Sequence, residues 1–194
     1  MPKISLVIPT YTLNQDLEEL TYDCIDSMRD QVDEVVISED GGGPIYYYLA
    51  DGRVDIYIYH AKNIGFTGNV NRGWKAATGD FVIIANSDTK LLQGDLKDLC
   101  IPGKITSPII VNQGIEGLAG CFFCVPKEIA KERGMLNETM KTYYSDQDYA
   151  DRTSDIFQKV PTVQVWHEQM QTVKEAGVEG KMDEDRDIYN KLQQ

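Results

Sequence analysis

Residues 63–88 read NIGFTGNVNRGWKAATGDFVIIANSD, and the changes of texture along this stretch decide the fold. Asn63 to Gly68 is rich in glycine and asparagine, which predicts a loop. Asn69 to Ala77 follows with Val70, Trp74 and Ala77 on one side, the spacing of a helix that Gly79 then breaks. Phe81-Val82-Ile83-Ile84-Ala85 has no polar interruption, as expected of a strand buried on both faces. The run stops at Asn86-Ser87-Asp88. A carboxylate between small polar residues at a strand end is either an ordinary turn or a metal site at the edge of a sheet.

Working outward, Ile4 to Ile8, closed by Pro9, predicts a first strand. Asn14 or Asp16 can cap the helix that follows, with Leu17, Leu20, Tyr22, Cys24, Ile25 and Met28 at roughly helical spacing. Glu34 to Ser38 is a second strand, ending at Glu39-Asp40 and a Gly41-Gly42-Gly43-Pro44 turn; Val54 to His60 alternates as a third. This order predicts a mostly parallel sheet with helices on both faces. Ligands of such sheets bind beyond the carboxyl ends of the strands, which here are Thr10-Tyr11, Glu39-Asp40 and Asn86 to Asp88. Further strands are expected at 105–111, 118–125 and 160–166, a short helix at 127–133, and a loop entering a helix over 140–152. Beyond Thr172 the composition turns polar, predicting a mobile tail with a terminal helix from about Asp185.

A chain of 194 residues, 42% hydrophobic and 26% charged, suits one soluble domain with a real core. Without a signal-peptide pattern or an apolar run near 18 residues, the expectation is a cytoplasmic protein with no integral membrane segment. The net charge of -12 argues against a nucleic-acid partner. Cys121 and Cys124 form C-F-F-C, but strand-like flanks predict structural thiols facing opposite sides of a strand, not a zinc or redox pair. No dinucleotide fingerprint, P-loop or nucleophile elbow occurs.

Asp88 is a suitable hard ligand for magnesium or manganese, and His167, at a strand end, could complete a half-site, although an ordinary histidine is the more common case. Asp146 and Asp148 suit either the start of a helix or, for Asp146, a general base.

Taken together, these segments resemble a family 2 glycosyltransferase of the GT-A fold, an α/β/α sandwich with a Rossmann-like nucleotide-binding half. Ile4 to Tyr11 is similar to the family's first strand and nucleotide loop, and Glu39-Asp40-Gly41-Gly42 resembles its D-D-G-S turn, with Glu in place of the first Asp. Asn63 to Asp88 resembles the N-x-G-F…N-x-G…A-x-G-[DE]-[YF] segment that ends in a D-x-D motif, in the Asn-first variant of rhamnosyltransferase-like members. Tyr144 to Asp148 with Arg152 resembles E-D-x-D…R, with Ser145 replacing Glu, and Val165-Trp166-His167 with Thr172 resembles V-x-H…[ST]. The chain is short for the family, as a compact virus-encoded enzyme acting in a host cytoplasm would be.

The resemblance implies one domain over 1–172, with a nucleotide-sugar half at 1–90 and an acceptor half at 91–172, and a tail at 173–194. It implies inverting transfer of a sugar from a UDP, GDP or dTDP donor to a glycan, lipid-linked sugar or protein acceptor. Asp88 and His167 would hold Mn2+ or Mg2+, and Asp146 would be the catalytic base. Pro9, Thr10, Tyr11, Glu39, Asp40, Lys62, Asn63, Gly65, Asn71, Asn86, Ser87 and Arg152, together with Asp88, would form the nucleotide-sugar site. Two alternatives stand beside this reading: a non-catalytic nucleotide-sugar-binding protein of the same fold, and a sugar-phosphate nucleotidyltransferase.

Overall fold

The computed structural model describes residues 2–43, 52–168 and 182–193. At its centre β1 (Ile4–Thr10) is buried along its whole length. It runs parallel to β2 (Glu34–Glu39) on one side and to β4 (Phe81–Ala85) on the other. The strand continues through Pro9, which the sequence suggested would end it. Pairing with β4 stops at Val7–Ile84, so at Pro9 only the β2 side is occupied and a residue without an N–H is tolerated.

β3 (Ile56–Tyr59) extends the parallel half beyond β2. The other half contains β5 (Thr89–Gln93), β6 (Ile105–Ile110), β7 (Phe122–Pro126) and β8 (Phe157–His167). β7 runs antiparallel to both β4 and β6; β8 is parallel to β6 and antiparallel to β5. The eight strands form one sheet in the order β3-β2-β1-β4-β7-β6-β8-β5.

α1 (Gln15–Met28) covers one face, its start capped by the Asn14 side chain on the Leu17 N–H and its inner stripe formed by Cys24, Ile25 and Met28. α2 (Phe66–Ala76), α3 (Lys127–Arg133) and α4 (Ser145–Arg152) cover the other. Trp74 of α2, Phe123 of β7 and Tyr149 of α4 pack there with ring centroids 5.9–6.2 Å apart. α2 begins three residues before Asn69, because the loop ahead of it is held by other parts of the chain. α5 (Met182–Leu192) is the terminal helix, beginning slightly earlier than expected; Thr172 lies outside the described residues. Cys121 and Cys124 share one core layer, contrary to the expected opposite faces, because Cys121 precedes the strand. No described helix is long and apolar enough to cross a membrane.

The sequence reading did not include β5, whose five residues are mostly exposed. Three residues, Asn86 to Asp88, join it to β4, yet three strands intervene between them in the sheet. Four strand spacings of about 4.8 Å make about 19 Å. A connector this short spans at most about 14 Å. The second half of the sheet must therefore curl back until β5 lies beside α1, where the Leu91 N–H donates to Ser27 Oγ at 3.1 Å.

At the opposite end of the strands, Glu34 ties the parallel half together. Its carboxylate accepts from Ser5 Oγ at 2.5 Å, the Thr78 N–H at 2.8 Å and hydroxyl at 2.6 Å, and Lys3 Nζ at 3.2 Å. Burial alone would raise its pKa, but these donors outweigh burial and lower it from 4.5 to about 2. A depressed carboxylate pKa contributes stability that is present above the unfolded value and lost as pH falls through the folded one, here roughly 3 kcal/mol. Glu34→Gln is expected to lower the unfolding free energy by about that amount at pH 6, with the difference shrinking as pH falls from 4.5 toward 2. Urea unfolding of both chains across that range checks it.

Candidate active site

The triplet that ends β4 is fastened from three directions. The Asn86 N–H donates to the Cys121 carbonyl at 2.9 Å. The Asn86 carbonyl accepts from the Thr89 N–H, the Thr89 hydroxyl and, from α1, Cys24 Sγ. The Asp88 carbonyl accepts from the Glu168 N–H at 2.9 Å. Thr89 and His167 are register partners across β5 and β8, so the curl of the sheet brings His167 to Asp88.

His167 Nε2 and Asp88 Oδ1 lie 3.1 Å apart, both side chains largely buried, without the alignment of a hydrogen bond. Burial opposes charge on His167, but the Asp88 carboxylate and the Cys121 thiol beside it outweigh burial and push its pKa up to about 10. The site therefore favours positive charge at this point. Its Nδ1 meets Gln113 Nε2 at 2.7 Å, which fixes the ring from behind. The Asn86 side-chain oxygen is also buried, with no hydrogen-bond partner among the described residues.

Asp40 builds the neighbouring wall. Its carboxylate accepts the N–H groups of Ile64 at 2.8 Å and Gly65 at 3.0 Å, so the loop before α2 hangs from the end of β2. Burial raises its pKa, against the lowering effect of those two donors. Gly65 has φ 89°, and a Cβ there would meet the Lys141 carbonyl at 2.8 Å. Asn69 reaches back from α2 to the Thr10 carbonyl at 3.0 Å.

The third wall carries Asp146, in the first turn of α4. Burial raises its pKa, while the N–H of Gln147 and its own N–H pull it down. Tyr144, just before α4, has φ 61° and is the only left-handed non-glycine among the described residues. Such strain persists where surrounding contacts enforce it. Ser145, which stands where the related motif has Glu, is buried and accepts from the Thr67 hydroxyl at 2.9 Å, joining α4 to α2.

Between these walls lies a cleft of about 390 Å³. Pro9, Thr10, Tyr11, Asp40, Asn63, Gly65, Asn86, Ser87, Asp88, Asp146 and His167 all line it. Four other candidate residues do not. Glu39 is fully buried beneath the β1 loop, its oxygens taken by Thr10, Thr12 and the Gly42 N–H. Asn71 is tied to Leu136 and Glu138, and Lys62 is exposed outside the lining. Arg152 pairs with Asp148 at 2.9 Å and donates to the carbonyls of Arg133 and Met135. The sequence reading gave no site role to Gln113, Gly120, Cys121 and Tyr144: the first two lie in segments with no motif, Cys121 reads as a structural thiol, and Tyr144 only opens the motif that contains Asp146.

A curled mixed sheet with an open cleft at its strand ends is the arrangement of the GT-A fold. Three solved structures share that fold. S. aureus TarS has TM-score 0.67 at 15% identity, covering 85% of this chain and 36% of that one. GalNAc-T7 with UDP, GalNAc and Mn2+ has TM-score 0.71 at 13% identity, covering 86% and 43%. The mannosyltransferase PcManGT from Pyrobaculum calidifontis, with GDP-Man and Mn2+, has TM-score 0.65 at 16% identity, covering 86% and 56%. Residues 5–100, just under half of the chain, match the family model "Glycosyl transferase family 2". A curated relative, the GalNAc(5)-diNAcBac-PP-undecaprenol beta-1,3-glucosyltransferase of Campylobacter jejuni, is 29% identical over 105 residues, 51% of this chain. The chain spans about a third of that relative's length, 34%.

Gly120 and Cys121 join the two chemical poles, since Cys121 anchors Asn86 while a Cβ on Gly120 would come within 2.1 Å of Asp146 Oδ2. Gly120→Ala is therefore expected to cost about 1–3 kcal/mol by overpacking. Urea unfolding reads that loss, and a crystal structure of the variant should show the Asp146 carboxylate displaced.

Proposed function

We propose that this chain is a metal-dependent inverting glycosyltransferase that moves a sugar from a nucleoside-diphosphate sugar to a hydroxyl on a glycan, lipid-linked sugar or protein. The observation that carries this reading is the Asp88–His167 pair, drawn together at 3.1 Å in the wall of the cleft that Asp146 also lines.

The residues fit a divalent cation. A carboxylate oxygen and an imidazole nitrogen are suitable ligands for manganese or magnesium. The two are not aligned to hydrogen-bond each other, and the Asp88 carboxylate favours positive charge beside it. Among the described residues no three metal-ligating side chains converge, so Asp88 and His167 would leave coordination positions for diphosphate oxygens and water. Bound there, Mn2+ or Mg2+ would supply charge that stabilises the leaving diphosphate.

The rest is the work of the chain's own groups. Thr10, Tyr11, Asp40 and Asn63 line the part of the cleft suited to the base and ribose, and Asn86 offers its unpartnered oxygen to a donor hydroxyl. Asp146 accepts the proton of the acceptor hydroxyl as that oxygen bonds to the anomeric carbon. The bond from that carbon to the diphosphate breaks with inversion, and the nucleoside diphosphate leaves. Burial that raises the Asp146 pKa makes it a stronger base than an exposed aspartate. UDP with GalNAc in one structural neighbour and GDP-Man in another support the donor class.

Calorimetry with UDP, GDP and dTDP, each with and without Mn2+, tests the donor site. One nucleotide should bind at least about tenfold more tightly with the metal, and Asp88→Ala should abolish that gain. Equal affinity with and without Mn2+ would remove the metal role.

Asp146→Asn should keep nucleotide affinity while transfer drops by about 10²- to 10⁴-fold. The base works only when ionised, so turnover should fall as pH drops through its raised pKa. That acid limb should lie above the usual aspartate value of about 3.9 and be absent from the residual rate of the Asn variant.

A further inference from the structure

Asp185, in the first turn of α5, is only 4% exposed. A carboxylate so buried needs donors, and it finds three backbone N–H groups. Lys141 donates to one oxygen at 3.0 Å; Thr142 and Tyr143 donate to the other at 2.8 and 2.9 Å. These amides belong to an irregular stretch with no strand ladder to satisfy them. On the other side of that stretch, the Lys141 carbonyl accepts from the Thr67 N–H at 3.1 Å. The segment is thus gripped between the start of α2 and the terminal helix.

The stretch leads straight into the left-handed Tyr144 and then into Ser145 and Asp146. The Tyr144 ring stacks on Tyr189 of α5, with centroids 5.4 Å apart and planes 25° from parallel. Tyr189 Oη donates to Asp151 Oδ2 at 2.5 Å, so α5 holds α4 itself as well as the segment that enters it. α5 lies outside the residues 5–100 that match the family model.

We propose that Asp185 is a positioning residue for the catalytic base: by binding the amides of Lys141, Thr142 and Tyr143 it sets the turn at Tyr144 that presents Asp146 to the cleft, with Tyr189 bracing that turn. The inference rests on the transferase reading for the role of Asp146, though the contact itself does not. A simple tether for a terminal helix could sit anywhere on the surface. Here the buried carboxylate holds the one strained turn next to the base.

Hydrogen exchange and donor turnover, both on the full chain, separate these roles. Turnover is read as Mn2+-dependent hydrolysis of UDP-, GDP- and dTDP-sugars, with water as the acceptor. In Asp185→Ala the amides of 141–143 should exchange faster while β1 and β4 stay protected. The same variant should keep donor KM within about twofold and lose about 10- to 100-fold in kcat, the cost of misplacing a reacting group by about an ångström. Its acid limb should shift as the surroundings of Asp146 change. Asp185→Asn and Tyr189→Phe, which keep shape, should show the same pattern to a smaller degree.

Unchanged exchange at 141–143, or faster exchange with wild-type kcat, would overturn the proposal. Loss of protection throughout the sheet in both Asp185 variants would overturn it too, because the carboxylate would then support the whole fold. A wild-type chain that turns over no donor would sink the transferase reading, and with it the catalytic role of Asp185. An active wild type matched by an equally active Asp185→Ala variant would sink the Asp185 role alone.

Discussion

The three residues between β4 and β5 constrain most of this molecule. β4 is central and β5 is an edge, and a flat sheet would separate them by more than Asn86-Ser87-Asp88 can span. The curl that resolves this brings the far edge of the sheet back to its middle. It makes Thr89 the register partner of His167, and so brings an imidazole from near the end of the described sheet to a carboxylate at its centre. The cleft wall is thus a consequence of strand closure, and the Asp88–His167 pair forms wherever that closure forms.

A second short connection carries the other half of the site. The Cys121 carbonyl holds Asn86, and the next residue back, Gly120, leaves the space that the Asp146 carboxylate fills. The two poles of the proposed reaction are therefore coupled through neighbouring backbone atoms rather than through flexible side chains. Polar side chains around the cleft mostly hold backbone: Asp40 binds the loop at 64–65, Glu39 the loop after β1, and Asn69 the Thr10 carbonyl. Preorganisation of this kind is what electrostatic catalysis requires, because donors and charges already in place do not have to reorganise during reaction.

Local signals in the chain correctly indicated many of the elements. Continuous apolar runs marked β1, β2 and β4, and Asn14 marked the start of α1. Lys127 to Arg133, flanked by Pro126 and Gly134, is the helix its punctuation predicts. Other features were not legible. β5 has too few buried positions to show a pattern, and Pro9 looks like a terminator until the absence of a β4 partner is known. Arg152 follows a motif-like spacing but pairs with Asp148, on the far side of α4 from the cleft. A helix from about Asp185 is legible in the sequence, but the burial of Asp185 is not, because it depends on amides more than forty positions earlier.

What the sequence alone determined is most of the strands and helices, their order, and the small group of polar residues at strand ends. Those depend on periodicity and turn chemistry within a few residues. Only the tertiary structure decided which of those polar residues face one another. It joined Asp88 to His167, turned Glu39 inward to hold a loop, and placed Asp185 behind the turn before Asp146. The physical reason is that such pairings depend on how far the sheet curls and which backbone donors lack partners once it has, and both are properties of the closed sheet rather than of any local run of residues.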